Sequence, residues 1–133
     1  MNQASANVVN LPRGAKTITI DGTEHRAIPT PNAIWEIEAK LGTNINPLIM
    51  QLGAGDFGLT VITEIYAACI KAGDTPEAHR PTRDQIAHQV MADGIQNHRD
   101  TCLELASAVF GREFDKAVAR DQAGKSAGPA AST

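Results

Sequence analysis

The sequence contains few aromatic residues and few cysteines, and both shortages limit what the chain can be. Only 4% of the 133 residues are aromatic, so the core has to be built from aliphatic side chains and close helix contacts. Two cysteines, Cys69 and Cys102, are too few for the disulfide framework of a small secreted domain. A chain of this length forms one domain and can bury a sizeable core without covalent cross-links.

An excess of basic charge and a long apolar run are also missing. Twelve Lys and Arg against fifteen Asp and Glu give a formal net charge of −3. This balance argues against nucleic acid as a main partner, because phosphate binding needs a basic surface. The apolar runs are too short to cross a bilayer, so no membrane partner is expected. The first residues lack the basic start and apolar block of a secretion signal, and we therefore expect a cytoplasmic protein.

The clearest strand signal lies near the N-terminus. Apolar and polar residues alternate from Lys16 to Ile20, which is the period of a half-buried strand. Asp21-Gly22 follows, and this pair favours a tight hairpin turn because glycine readily adopts a positive φ. The return strand is predicted from Thr23 to Ile28. A two-stranded hairpin is marginal in water, so it must pack on helices or pair with another chain.

Helices are predicted after the hairpin, because apolar residues recur there at helical spacing behind recognisable start signals. Thr30-Pro31 indicates the first start, Asn46-Pro47 begins a short helix up to Leu52, and Asp56 is predicted to cap a third helix. Thr82 and Gln85 have the spacing of a capping box at the start of a fourth helix.

The fourth helix is predicted to bury Ile86, Val90 and Met91. Gly94 interrupts it by a kink or a break, and a further helix follows up to Phe110. These elements predict a mainly α fold with an N-terminal β-hairpin, in a small single-domain helical bundle.

The domain boundaries follow from composition. The domain is predicted to span residues 16–120, and it includes a short amphipathic helix over 112–120. Residues 1–15 are polar and lack a clear period, so they are predicted to form a flexible arm. Residues 121–133 contain no apolar residue larger than alanine, and we predict a disordered tail there.

No pattern of residues predicts a catalytic, cofactor or metal site. The histidines lack the i,i+4 spacing of a helical zinc site, and neither cysteine belongs to a C-x-x-C unit. His98 and Cys102 share a helical face, and this pair is the only support for an enzyme. Nothing near it in sequence supplies an oxyanion hole or an orienting acid. Both Cys69 and Cys102 are therefore expected to be buried and unreactive.

Five residues are candidates for binding a partner protein. Trp35 lies one position away from the apolar stripe of its helix, and that stripe is complete without it, so the side chain is available as an interface anchor. Glu38 borders the apolar side and can bond to the hairpin or to a partner. Phe57 lies at a joint between helices, and Phe110 and Phe114 lie late in the chain. Core packing is the alternative for these aromatic residues, and for Phe110 it is the favoured one.

The order of these elements resembles a known family. Asp21-Gly22, the run Ile34-Trp35-Glu36-Ile37-Glu38 and Leu41-Gly42 occur in the order found in the small tail assembly chaperones of long-tailed bacteriophages. The resemblance is to the branch that is also found in gene transfer agents, and it covers about residues 16–110.

The resemblance implies a non-enzymatic protein with other tail proteins as partners. Such chaperones bind the tape measure protein, keep its apolar helices soluble and help to recruit tail tube protein subunits. They are generally absent from the finished particle, so the resemblance implies a location in the host cytoplasm and absence from the mature particle.

Two other functions compete with the chaperone. A structural tail or head–tail connector component would form rings and remain in the particle, although the small amount of predicted strand counts against the usual tail-tube sandwich. An enzyme would rest on His98 and Cys102 alone. The sequence leaves the formation of a homo-oligomer open.

Overall fold

The computed structural model describes residues 14–111, which form a two-stranded antiparallel sheet followed by a helical bundle. The strands are β1 (Lys16–Ile20) and β2 (Thr23–Ala27), and the helices are α1 (Pro31–Leu41), α2 (Ile45–Ala54), α3 (Leu59–Lys71), α4 (Arg83–Asp93) and α5 (Arg99–Ser107). Short 3₁₀ helices cover Glu77–His79, Ile95–His98 and Ala108–Phe110. The predicted fold class is confirmed.

Several predictions concern residues beyond this range. Residues 1–13 of the predicted arm, the amphipathic helix predicted over 112–120, and the tail predicted over 121–133 lie outside the described residues. The domain limits at 16 and 120 therefore stay predictions.

The hairpin forms where the alternating pattern predicted it. Asp21 and Gly22 make the turn with φ of 53° and 80°, the two positive values of the turn type that matches the twist of paired strands. The register places Ile20 opposite Thr23 and Ile18 opposite His25. Ile18 and His25 share the buried face of the hairpin, so the sheet lies on the helices with one side and faces solvent with the other.

Helix α3 is the centre of the bundle. It packs against α1, α4, α5 and β2, and eight of its thirteen residues are buried. The core around it is almost entirely aliphatic, as the shortage of aromatic residues predicted; its fully buried members include Ile37, Leu48, Ile62, Ile65, Val90 and Leu105. The hairpin and the other helices are held in place by their contacts with this helix and with one another.

Two of the predicted helix starts are confirmed in atomic detail. The Thr30 Oγ1 accepts a hydrogen bond from the Ala33 N–H at 3.1 Å, and α1 ends at Gly42 with φ of 66°. In α4 the Gln85 N–H donates to Thr82 Oγ1 at 3.1 Å, while the Thr82 N–H donates to Gln85 Oε1 at 2.8 Å. This reciprocal pair is the predicted capping box.

The start of α2 differs from the prediction. The helix begins at Ile45, two residues before Pro47, and runs on to Ala54. The Ile45 N–H donates to Glu38 Oε2 at 2.9 Å, so a side chain from α1 satisfies this first amide. Pro47 then occupies the first turn, where its missing N–H removes no intrahelical bond.

The predicted cap of α3 is wrong. Gly58, rather than Asp56, precedes the first helical residue. The Asp56 N–H donates to the Gln51 carbonyl at 2.8 Å, which is a bond of the end of α2. Asp56 therefore belongs to the C-terminal turn of one helix and is too early to cap the next one.

The break at Gly94 is complete, and it changes which residues of α4 are buried. Gly94 has φ of 94° and ψ of 126°, and the chain continues as a 3₁₀ helix. Ile86 and Val90 are buried, about one turn apart on the same face of α4. Met91 is 64% exposed, so its predicted place in the core is wrong. The buried stripe of this helix is narrow, and the residue after Val90 already points about 100° away from it.

Candidate protein-binding surface

The tryptophan of α1 points away from the core. Ala33, Ile34 and Ile37 form the buried stripe of this helix, whereas the Trp35 side chain is 64% exposed. Tryptophan is enriched at protein interfaces, so this position suits a docking surface. A role of Trp35 in binding stays a prediction.

Other large apolar side chains are exposed on different elements. Met50 on α2 is 74% exposed, and Phe110 in the last 3₁₀ helix is 42% exposed. The apolar pattern predicted a core position for Met91, and no prediction was made for Met50. The exposure of Met50 could have been predicted from the spacing of Leu48 and Leu52. These two residues share the buried face of α2, and the residue midway between them lies on the opposite face.

Two further predicted partner-binding residues, Glu38 and Phe57, have contacts within the chain. Glu38 is half-buried and holds the start of α2, rather than bonding to the hairpin. Phe57 is partly buried and packs against the core. Phe110 is more exposed than the favoured core interpretation implied, and Phe114 lies outside the described residues. Among the candidates within residues 14–111, only Trp35 and Glu38 lie on the same helix, and a binding role for all five residues stays a prediction.

A charged cleft of about 210 Å³ lies between α1, α3 and α4. On its α1 side, the Lys71 Nζ donates to Glu36 Oε1 at 3.2 Å. On its α4 side, Arg83 forms an ion pair with the buried carboxylate of Glu64. Lys40 also lines the cleft and has no ion pair within residues 14–111. Arg80 lines the cleft as well and has no ion pair among the described residues, so the cleft carries paired charges and two further cations that can attract an acidic group.

A hydrogen-bonded chain that runs from the buried Tyr66 to the surface links three helical segments. The Tyr66 hydroxyl lies 2.6 Å from His98 Nδ1, and His98 Nε2 lies 2.8 Å from Asp93 Oδ2. Because a carboxylate only accepts, Nε2–H donates to Asp93, and in the neutral ring Nδ1 then accepts from the Tyr66 hydroxyl. Gln89 extends the chain, since its Nε2 donates to Asp93 Oδ1 at 3.0 Å and its Oε1 accepts from the Asp21 N–H at 2.9 Å.

This chain weakens the enzyme hypothesis. Both ring nitrogens of His98 are bonded, one to Tyr66 and the other to Asp93, so neither nitrogen is available to take a proton from the Cys102 thiol. Burial also raises the pKa of Cys102 and of the Tyr66 hydroxyl. The arrangement can hold the bundle together, and it lacks an activated nucleophile.

Both cysteines are expected to resist modification in the folded protein. Cys69 and Cys102 are fully buried, and burial raises the pKa of Cys69 to about 12. The thiols therefore stay protonated well above the pH at which an ordinary cysteine ionises, about 8.5. A disulfide reagent such as DTNB at pH 8 should react slowly with the native protein and rapidly with both thiols in guanidinium chloride. Fast reaction of the native form would contradict this placement.

Neither a metal cluster nor a membrane span is found in the described part of the chain. Residues 14–111 contain no group of three or more His, Cys, Asp or Glu side chains placed to hold a metal ion. The helices described are not long and apolar enough to span a bilayer.

Comparison with known families identifies the class of the protein. Residues 13–115 match the model of the family described as phage tail tube protein, GTA-gp10. The match covers well over half of the sequence, and the chain belongs to this family. No curated protein and no solved structure matches it.

Family membership corrects part of the sequence-based interpretation. The chain is a tail protein of a phage or gene transfer agent, and the family description is that of a structural component. The resemblance to tail proteins is confirmed at that level, and the alternative of a structural tail component is better supported than the chaperone. Tail tube proteins are components of the mature particle. The expectation that this protein is cytoplasmic and absent from the mature particle is therefore wrong.

Proposed function

We propose that this protein is a non-enzymatic structural component of the tail that docks on a neighbouring tail protein through the Trp35 side of α1. The observation that carries this proposal is the 64% exposure of Trp35 on a helix whose buried stripe is complete without it. The side chain contributes little to the core of the free chain, whereas burial against a partner would remove a large apolar area from water.

The surroundings of Trp35 favour a docking role. Ile34 and Ile37 anchor α1 in the core on the opposite side, so the indole is mounted on a rigid helix and loses little freedom on binding. Glu36 and Lys40 of the same helix line the charged cleft. An apolar anchor beside charged side chains is the arrangement of an interface centre and its rim.

A separate tail tube protein of the same particle, distinct from this chain, is the partner we propose for this surface, and co-purification tests it. Full-length protein carrying Trp35→Ala should lose most of its co-purification with the cognate tail tube protein, while the wild type retains it. Met91→Ala is the matched control, because Met91 is equally exposed but lies on α4. Equal capture by all three forms would overturn the assigned surface. Absence of the wild type from purified particles would overturn the structural role itself.

Binding of the tape measure protein, with the chaperone activity implied by the resemblance, is the second candidate. The exposed Trp35 favours it, because a protein that keeps apolar helices soluble needs apolar side chains of its own in contact with water. Co-expression should leave the tape measure protein soluble with the wild type and aggregated with Trp35→Ala. A tape measure protein that is equally soluble without this chain would exclude this candidate.

A further inference from the structure

We propose that the outer edge of β1 pairs with the outer edge of β1 in a second copy of this chain, so that the two hairpins form one four-stranded antiparallel sheet. This inference uses a different surface from Trp35 and does not depend on the docking proposal above. It rests on which backbone groups of the hairpin point outward and on what covers them.

The register of the hairpin identifies the outward groups. The two-residue turn makes Ile20 and Thr23 a hydrogen-bonded pair, and such pairs recur at every second position. The residues between them point their N–H and C=O groups away from the partner strand. These residues are Thr17 and Thr19 on β1, and Glu24 and Arg26 on β2.

The outer edge of β2 is covered by the end of α3. Just beyond β2, the Ile28 N–H points to the same side and donates to the Cys69 carbonyl at 2.8 Å. The backbone of Gly73 lies directly against the Arg26 carbonyl oxygen, with no room for a side chain. The Arg26 guanidinium also lies 3.6 Å from the Asp74 carboxylate. No further strand can be added on this side.

The outer edge of β1 has no such cover within residues 14–111. Thr17 and Thr19 are exposed, and their outward N–H and C=O groups have no hydrogen bond to another described element. Proteins usually protect an open edge with a lysine, a proline or a bulge. The one lysine of this strand, Lys16, forms an ion pair with Glu104 on α5 and therefore does not protect the edge. The edge is left uncharged and open to pairing.

A second copy fits this edge because the edge is complementary to itself. If the two β1 strands run antiparallel around a two-fold axis at Ile18, Thr17 of each copy lies opposite Thr19 of the other. The N–H and C=O groups of Thr17 and Thr19 in each strand then form hydrogen bonds with the second copy. The threonine side chains form uncharged cross-strand pairs. In this register Lys16 lies opposite Ile20 of the second copy, so no like charges meet. Such an interface is isologous and closed at a dimer.

The oligomeric state of the full-length chain tests the proposal. Sedimentation equilibrium of the wild type should show a concentration-dependent dimer. Thr19→Pro should raise the dimer dissociation constant about tenfold or more, because the two-fold axis makes each substitution remove two intermolecular hydrogen bonds. The outward N–H of residue 19 is not used inside the hairpin, and proline is tolerated at such edge positions. Thr19→Val is the matched control, since it keeps the N–H and the side-chain shape, and it should dimerise as the wild type does.

Hydrogen exchange provides a test that does not depend on a folded proline variant. The Thr17 and Thr19 amides of the wild type should exchange rapidly at low protein concentration and become protected as the dimer forms. A wild type that stays monomeric at all concentrations would overturn the proposal, and so would a dimer in which these amides exchange at the monomer rate. Loss of tail tube protein binding by Thr19→Pro, with the wild type monomeric, would assign the edge to another protein and overturn the second copy as its occupant.

Discussion

Replacing Ile37 with alanine should lower the free energy of unfolding by about 2–5 kcal/mol. The side chain of Ile37 is fully buried where α1 packs on α3. Alanine at this position removes three carbon atoms and leaves a cavity that the surrounding aliphatic side chains fill only in part. Urea denaturation followed by circular dichroism measures the change as a lower midpoint with an unchanged slope.

Trp35→Ala is the matched control, because it truncates a larger side chain two positions away on the same helix. Trp35 is mostly exposed, so its replacement should change the free energy of unfolding by no more than about 0.5 kcal/mol. Comparing the two variants separates a role in packing from a role in binding. Ile37→Ala is expected to lower stability, and Trp35→Ala is expected to weaken docking. Equal destabilisation by the two substitutions would mean that the assigned orientation of α1 is incorrect.

Gly73→Ala should destabilise the fold by about 3 kcal/mol, at the upper end of the cost of overpacking. A methyl group at position 73 would overlap the carbonyl oxygen of Arg26 in β2 and press on the Ile70 carbonyl. Both obstacles are backbone atoms, so no side-chain rotation relieves the overlap. The end of α3 and the hairpin would have to separate, and the bond from the Ile28 N–H to the Cys69 carbonyl would be strained.

Gly53→Ala is expected to have the opposite effect on stability from Gly73→Ala. Gly53 lies inside α2, and a methyl group there would meet no other atom within 4 Å. Alanine favours the helix over glycine, so this substitution should stabilise the protein by up to about 1 kcal/mol. Thermal unfolding of both variants beside the wild type measures the contrast. A stable Gly73→Ala variant would show that α3 and β2 are less closely packed than the structure indicates.

The contrast between Ile37 and Trp35 shows why α1 is informative about function. One side of the helix completes the core, and the other presents the indole to solvent. Membership in a tail tube family supplies a reason for such a surface, because tail proteins work in contact with other tail proteins. The proposed docking site and the proposed β1 edge lie on different elements, so the chain would have separate surfaces for a neighbouring protein and for a second copy.

Local signals in the sequence determined much of the fold. The alternation around Asp21-Gly22 predicted the hairpin, and the pair Thr82 and Gln85 predicted the capping box of α4. These features depend on atoms a few residues apart, so their physics is contained in a short segment. The family resemblance likewise identified a phage or gene transfer agent tail protein, although it favoured a chaperone over a structural component.

Contacts between different elements were decided only by the tertiary structure. Glu38 begins α2 by accepting from Ile45, His98 bonds to Tyr66 rather than Cys102, and Met91 faces solvent. The difference between the covered edge of β2 and the open edge of β1 also depends on where α3 ends against the hairpin. A side chain's periodic position predicts which face of a helix it occupies. What that face meets depends on how the helices pack, and the packing is settled by the whole chain at once.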